Sequence, residues 1–454
     1  MSVGRAMPEV VVVGGGIAGL TAAWELRDRD VLLLEADDRV GGRIRSEPRG
    51  DYWLNWGAHV VGGETSATGE LLRRLGVQAV SVPGRLAAAA MNGKLVATGP
   101  VESFPLRLPI PLRSRVALVR AGLRLRLAVR RYASVAAPRA GESPRDRQQR
   151  MLEFLDDRSF SEFAGPLPDD VAALFRCTLT RSSGEPEELA AGYGVGYFHL
   201  VWDRSGGLSR NVLGGTSVVV DALAGALGDR VRIGARVMGI ESSPDRVRIE
   251  YREGDSTKVV EAKSAVVATP AFVTRELVEG LPQDTADALA AIPYGPYVVC
   301  ALLTRETGPM PWDDLYALAT PNRSFGMLFN TANVLRSSPA SRTPGGSLMV
   351  YAAANLARRL AGLDDDAIRD RFVQDLHELF PRSKGLVEEV VIKRWERGLP
   401  YPRVGRSLLQ HALTRPLGRV QLAGDYLGTW YTETAVQTAS SAAQCARGLL
   451  DPSP

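Results

Sequence analysis

VVVGGGIAGLTAAWELRDRDVLLLEADDRVGGRIRS, from Val11 to Ser46, is the stretch whose reading decides the fold. Together with Val10 it opens as an unbroken apolar run that stops at Gly14-Gly15-Gly16, and an alanine-rich helical pattern begins at Ile17. The order is strand, tight turn, helix. The glycines are spaced G-x-G-x-x-G. Gly14 makes the tight turn, Gly16 lets the backbone approach a pyrophosphate, and Gly19 lets helix and strand pack closely. The helix N-terminus, with Ile17 and Ala18 in its first turn, faces the phosphates. A second apolar strand, Val31 to Leu34, ends in Glu35-Ala36, and Glu35 stands 21 residues after Gly14. An acidic side chain at about that offset meets the ribose hydroxyls of an adenine dinucleotide. A glycine fingerprint alone is weak, but strand, turn, helix, strand and acid in this order predict a bound dinucleotide over an unliganded glycine turn.

Composition narrows the rest. At 454 residues the chain has room for two or three units of about 150 residues each. A net charge of +4 on this length is too small to imply nucleic-acid binding. Only nine residues precede the first strand, leaving no room for a signal peptide, and no apolar run reaches the roughly 18 residues of a membrane span. A soluble, cytoplasmic protein is expected. Cys177, Cys300 and Cys445 stand far apart and the four histidines are scattered, so neither disulfides nor a metal site is expected.

After Glu35 comes a second glycine turn carrying arginines, Asp38-Arg39-Val40-Gly41-Gly42-Arg43. It resembles the E-A-x-x-R-x-G-G-R continuation of FAD enzymes in the flavin-containing amine oxidase superfamily, which takes in monoamine and polyamine oxidases, protoporphyrinogen oxidases and carotene desaturases. The resemblance implies that Arg39 and Arg43 lie beside the FAD diphosphate and that Gly41-Gly42 packs on the cofactor. Gly57-Ala58-His59 is similar to the turn passing beside the isoalloxazine ring, which makes His59 either a neighbour of flavin or substrate or a hydrogen-bonded core histidine. From Gly214 to Gly254 the chain resembles the family's glycine-led helix and antiparallel ribbon, with Val237 at the position whose backbone contacts the adenine. Val231, Ile233, Val237 and Ile240 are the expected buried positions there. Ala265 to Ala271 resembles the V-V-x-A-T-P strand under the FAD, with Thr269 at its turn. Arg394-Trp395-Glu396-Arg397-Gly398-Leu399-Pro400-Tyr401 resembles a protoporphyrinogen oxidase stretch, although Tyr401 follows the proline directly. Gly424 and Asp425 match the residues that meet the ribityl and phosphate oxygens, and Thr434 and Ala435 begin the helix whose amides point at the flavin pyrimidine edge. Tyr431 matches a tyrosine of the amine oxidase aromatic cage, with Trp430 its rival.

The fold implied is α/β and α+β: a discontinuous Rossmann-type FAD-binding domain from residues 1–84, 207–285 and 391–454, with a second, substrate-binding domain of helices (85–206) and mixed sheet (286–390). Candidates for contact with the reacting substrate are Tyr431, Trp430, Tyr401 and His59. No cysteine occurs between Trp395 and Ala423, where monoamine oxidases tether their flavin, so the FAD is expected to be non-covalent. The strand lysine of those enzymes falls at about Val299, and no lysine occurs between Lys263 and Lys384.

Between Glu102 and Glu142 there is no acidic residue, and Arg113, Arg120, Arg124 and Arg131 fall on one helical face while Leu112, Val116, Val119, Leu123 and Leu127 fall on another. A basic amphipathic helix of this kind, within residues 107–131, either lies on an anionic membrane, guards the entrance to an apolar site, or is an ordinary helix with a solvated face. Pro138 to Gln149 reads as an exposed loop and Met151 to Phe163 as a helix. Tyr193, Tyr197, Phe198, His199 and Trp202 form an aromatic cluster that either walls a substrate cavity or fills a core. The functional expectation is hydride transfer from an apolar or amine substrate to flavin, at a C–N bond. The alternatives are C–C dehydrogenation of a ring or polyene and a non-redox flavoprotein such as a mutase or isomerase. Dioxygen is the candidate electron acceptor and a second copy of the chain the candidate protein partner.

Overall fold

The computed structural model describes residues 7–82, 87–202, 207–336 and 342–451. The opening apolar run becomes the centre of a five-stranded sheet in the order Val420–Leu422, Ser264–Val267, Val10–Val13, Val31–Leu34, Val231–Arg232. Every pairing is parallel. Both faces are covered, and the three middle strands are buried throughout, which is why they read as continuous apolar runs. One face packs on the helices Ile17–Glu25, Ser217–Leu227 and Tyr431–Leu450. The other packs on a three-stranded antiparallel ribbon, Ala235–Ser242, Val247–Glu253 and Ser256–Ala262.

A second, seven-stranded sheet runs in the order Val387–Pro400, Tyr294–Thr304, Gly346–Ala353, Met327–Asn330, Ala317–Ala319, Ala88–Met91, Lys94–Val96. Its side chains alternate between two cores. Tyr297, Val299, Met349, Tyr351 and Phe329 face one cluster, while Val298, Cys300, Leu348, Val350 and Leu328 face the other. The expected segment boundaries are crossed by this sheet: Val387–Pro400 runs through position 390/391, and two strands, Ala88–Met91 and Lys94–Val96, come from the segment read as helical.

The long helix Leu112–Ala136 is present, but its apolar stripe faces outward. Leu112 is 76% exposed and Leu123 64%, with Val116, Val119 and Leu127 also exposed. The buried positions are Ser114, Leu118, Ala121, Leu125, Ala128, Tyr132 and Ala136, an equally good helical stripe made largely of small residues. Small side chains win because the partner helix, Ala191–Trp202, approaches closely through its own glycines. A Cβ on Gly196 would stand 2.6 Å from the Tyr132 ring, and one on Gly194 would stand 2.4 Å from the Phe160 ring.

Three local expectations are corrected. Within the expected loop 138–149, Ser143 caps a helix Pro144–Glu153 by accepting the Asp146 amide at 3.1 Å, the Ser-Pro-x-Asp start signal the loop reading passed over. The helix expected over 151–163 is split, because Leu155 adopts φ 49° and a Ser159/Glu162 capping box starts a separate helix Phe160–Ala164. Ile233 is 49% exposed, since the strand ends at Arg232 and the chain turns at Gly234. Among the described residues no helix is long and apolar enough to cross a membrane.

Gly192 tests the helix packing. Its Cβ would lie 1.4 Å from the Phe154 carbonyl oxygen, so Gly192→Ala must move the helix that carries Tyr193 and Tyr197. The expected loss is about 3 kcal/mol, read as a lowered denaturation midpoint; an unchanged midpoint would show that the helix sits farther out.

Candidate active site

A cavity of about 1340 Å³ runs from the Gly14–Gly16 turn to the inner face of the seven-stranded sheet. Pockets for one small ligand are typically roughly 300–1,000 Å³, so this one has room for more than one molecule.

At one end the walls are backbone and charge. Gly14 adopts φ 103°, and Gly16, at the N-cap of Ile17–Glu25, has nothing within 4 Å of where a Cβ would be. The first amides of that helix have no partner within it, which makes the open cradle an anion site. The Glu35 carboxylate accepts the Gly15 amide and, at 2.8 Å, the Asp37 amide, fixing the acid beside the turn. Arg43 donates to Asp425 at 2.9 Å and to the Gly398 carbonyl at 3.1 Å, so the second glycine turn is tied to the exit of the last parallel strand. Trp395 donates its indole N–H to the Trp56 carbonyl at 2.8 Å.

The cavity wall includes Gly14, Gly16, Ile17, Ala18, Glu35, Ala36, Gly41, Gly42, Arg43, Gly57, Ala58, His59, Val237, Thr269, Trp395, Gly424, Asp425, Trp430, Tyr431, Thr434 and Ala435, all predicted from the sequence. Three predicted residues do not reach it. Gly19 serves packing alone, since its Cβ would stand 1.8 Å from the Gly14 carbonyl oxygen. The Arg39 guanidinium turns back onto the Val40 and Gly42 carbonyls of its own loop, at 2.9 and 2.8 Å, and braces that loop. Tyr401 is buried in the core, against Gly184 and beneath Arg403. Its position immediately after Pro400, at the end of the long strand, carries it away from the cavity.

The other end of the cavity is an aromatic chamber. Trp430 stacks on Tyr193 with ring centroids 4.8 Å apart, and Tyr431 meets Tyr197 edge-on at 6.4 Å. Tyr431 opens the closing helix at φ 39°, a left-handed conformation seldom taken by a bulky residue, and its buried hydroxyl has no hydrogen-bond partner. Thr434 accepts the Trp430 amide at 2.8 Å and holds the entry to the helix. His59 lies between the two readings given to it: it lines the cavity, yet its ring packs edge-on against Phe329 at 4.4 Å. Burial, reinforced by the nearby Arg181 cation, holds its pKa down to about 3, so the imidazole is neutral, and its buried Nε2 has no partner. The sequence reading missed Arg181, Tyr297, Met349 and Tyr351, which also line the chamber. Arg181 sits in a short turn, Thr180–Ser182, and nothing in its neighbours along the chain marks it. Period-2 alternation along Ser347–Ala353 could have flagged Met349 and Tyr351 as one face. Among the described residues no metal-binding cluster occurs.

Two measurements probe this geometry. Glu35→Ala removes the acceptor that fixes the turn, and the bound dinucleotide is expected to weaken by roughly 1.5–3 kcal/mol in an equilibrium titration; unchanged affinity would remove Glu35 from the site. His59 is depressed in the folded state to about 3 against an ordinary 6.5. The unfolded chain therefore binds more protons between those values, and stability is lost as pH falls from 6.5 toward 3. In denaturation curves against pH, His59→Gln should flatten that window and leave pH 8 unaffected by this linkage; an identical acid slope would contradict the neutral assignment.

The family model for flavin containing amine oxidoreductases matches residues 17–447. A flavin-containing amine oxidase of Oncorhynchus mykiss is 25% identical over 96% of this chain and 85% of its own. The flavin-containing amine oxidase A of Canis lupus familiaris is 26% identical over 96% and 84%. Among solved structures, cyclohexylamine oxidase from Brevibacterium oxydans superposes with a TM-score of 0.78 at 21% identity, covering 98% of this chain and 100% of that one. Putrescine oxidase bound to putrescine gives 0.74 at 19%, covering 96% and 98%. With a glycine cradle and fixed acid at one end of the cavity, an aromatic chamber at the other and a family match over nearly its whole length, the chain belongs to the flavin-containing amine oxidoreductases and is an FAD-dependent enzyme.

Proposed function

We propose that this enzyme dehydrogenates a small, largely apolar amine at its C–N bond, with dioxygen as electron acceptor. The carrying observation is the chamber walled by Trp430, Tyr431, Tyr197, Tyr297 and Val299, which offers a flat-sided apolar slot directly beside the Gly57–His59 turn. FAD, when bound, supplies a two-electron acceptor for hydride. Gly14 to Ala18 and Gly41 to Arg43 are proposed to hold its diphosphate, Glu35 its ribose, and Thr434 and Ala435 its pyrimidine edge. Cys177 and Cys300 are buried and Cys445 is exposed, and none of the three lines the cavity, which supports a non-covalent cofactor. The two sheets support the division into a discontinuous FAD-binding domain and a substrate domain, with Val387–Pro400 reassigned to the latter.

The chain's own contribution is orientation, dryness and charge. The aromatic walls exclude water and align the carbon that loses hydride. A neutral His59 adds no positive charge to the chamber, and its unpartnered Nε2 is left open for a hydrogen bond. The amides at the start of Tyr431–Leu450 place positive potential at the end of the cavity they face. A second reading, dehydrogenation of a C–C bond in an apolar ring, rests on one observation. Among the described residues no lysine lines the cavity, and Lys393, opposite Val299 across the sheet, holds its ammonium 5.4 Å from the Trp395 ring instead.

Anaerobic mixing of the FAD-loaded enzyme with a panel of primary amines and porphyrinogens separates the two. At least one amine should bleach the flavin absorbance. Tyr431→Ala should slow that bleaching about tenfold, the rate equivalent of ~1.4 kcal/mol of aromatic contact, with FAD content unchanged. Bleaching by porphyrinogens with every amine silent would overturn the amine reading.

A further inference from the structure

Arg181, half-buried, lines the chamber, and among the described residues it has no counter-charge. Its guanidinium carbon lies 5.1 Å from the Phe329 ring centroid and 5.5 Å from that of Tyr197. The other titratable groups near it are the phenols of Tyr351, Tyr431 and Tyr316 and the imidazole of His59, and burial keeps all of them neutral. Among the described residues no carboxylate forms an ion pair with it, although 29 ion pairs occur elsewhere.

The acidic side chains on the cavity wall are committed elsewhere. Glu35 is held by the glycine-turn amides and Asp425 by Arg43. Glu142 pairs with Arg150, and Glu433 accepts the Ala67 and Thr68 amides, at 2.7 and 2.9 Å. Asp37 stands two residues from Glu35, at the cradle end of the cavity. A largely enclosed cation without a counter-charge is unfavourable, and the aromatic faces and the Tyr351 hydroxyl beside it offset only part of the desolvation. Its persistence in a ligand cavity points to a ligand that brings the missing negative charge.

We propose that Arg181 is a carboxylate-binding residue, and that the substrates are amines carrying a carboxylate, with an apolar or aromatic remainder that fills the space along Val299, Met349 and Tyr351. This deepens the amine reading and rests on it. A plain alkylammonium meets uncompensated positive charge here and finds no acid to receive it. An amino carboxylate presents its anion to the planar guanidinium fork, which suits two parallel hydrogen bonds. Arg181 thereby selects the substrate and fixes which end enters first.

The test uses the FAD-loaded full-length enzyme and has two independent arms. In the binding arm, hydrocinnamate and its uncharged counterpart hydrocinnamamide are titrated by calorimetry without turnover. Hydrocinnamate should bind the parent at least tenfold more tightly than the amide, and Arg181→Gln should erase that preference, while Arg181→Lys retains part of it. Equal affinities on the parent overturn the proposal whether or not any variant folds. In the second arm, flavin bleaching by phenylalanine is compared with that by phenethylamine. Faster bleaching by phenylalanine in the parent, reversed in Arg181→Gln, supports the proposal. Faster bleaching by phenethylamine in the parent overturns it and leaves amine oxidation standing. If Arg181-dependent carboxylate binding is seen and no amine of either kind bleaches the flavin, the amine reading falls and the carboxylate subsite stands.

Discussion

Two backbone segments approach so closely at the head of the parallel sheet that side chains have no place there. A Cβ on Gly14 would stand 2.9 Å from the Ala268 carbonyl oxygen, and Gly19 is pressed on Gly14 from the helix side. This contact lets the turn after Val13 and the turn after Val267 share one mouth, and the phosphate cradle is the space left between them. The Arg43–Asp425 pair closes the same mouth from a third direction. The helix, the second glycine turn and the last strand all take their positions from that constraint.

The cradle was legible in the sequence because phosphate recognition is local. Gly14 to Gly19, Glu35 and Gly41 to Arg43 lie within thirty residues and each turn announces its own chemistry. Its distant partners, Val237, Thr269 and Asp425, were reached only through family resemblance, since nothing in their spacing ties them to the turn. The substrate end was far less legible. Arg181, Tyr297 and Tyr351 meet there through a turn and two neighbouring strands, and pairings such as Val299 with Tyr351 are properties of sheet register. The arginine helix shows the limit of periodicity. Two stripes of equal period compete in Leu112–Ala136, and packing density chose the one with less hydrophobic surface.

The cavity joins two environments with opposite demands. Its cradle end offers amides, arginines and a fixed acid, and is built for a polyanion. Its chamber end offers rings, a neutral imidazole and the Arg181 guanidinium. Tyr431, held at φ 39°, forms part of the chamber wall. Residues kept in sparsely populated conformations persist only when their surroundings over-determine them. Here the stacked Trp430 and the Thr434 hydroxyl on the Trp430 amide provide that support.

Because the cradle's final brace, Asp425, lies 382 residues beyond Arg43, the order of synthesis matters. The ribosome releases the glycine turn long before the strand Val420–Leu422 and its closing helix. At roughly 5–20 residues per second, the central strand Val10–Val13 waits some tens of seconds before its sheet can be completed. Val10–Val13 gains the neighbour Ser264–Val267 part-way through that interval, and the outer edge of Ser264–Val267 stays open until Val420–Leu422 pairs with it. Completion of the flavin site therefore waits on Val420–Leu422 and Asp425, which convert an open sheet edge into a closed cradle long after the glycine turn has been made.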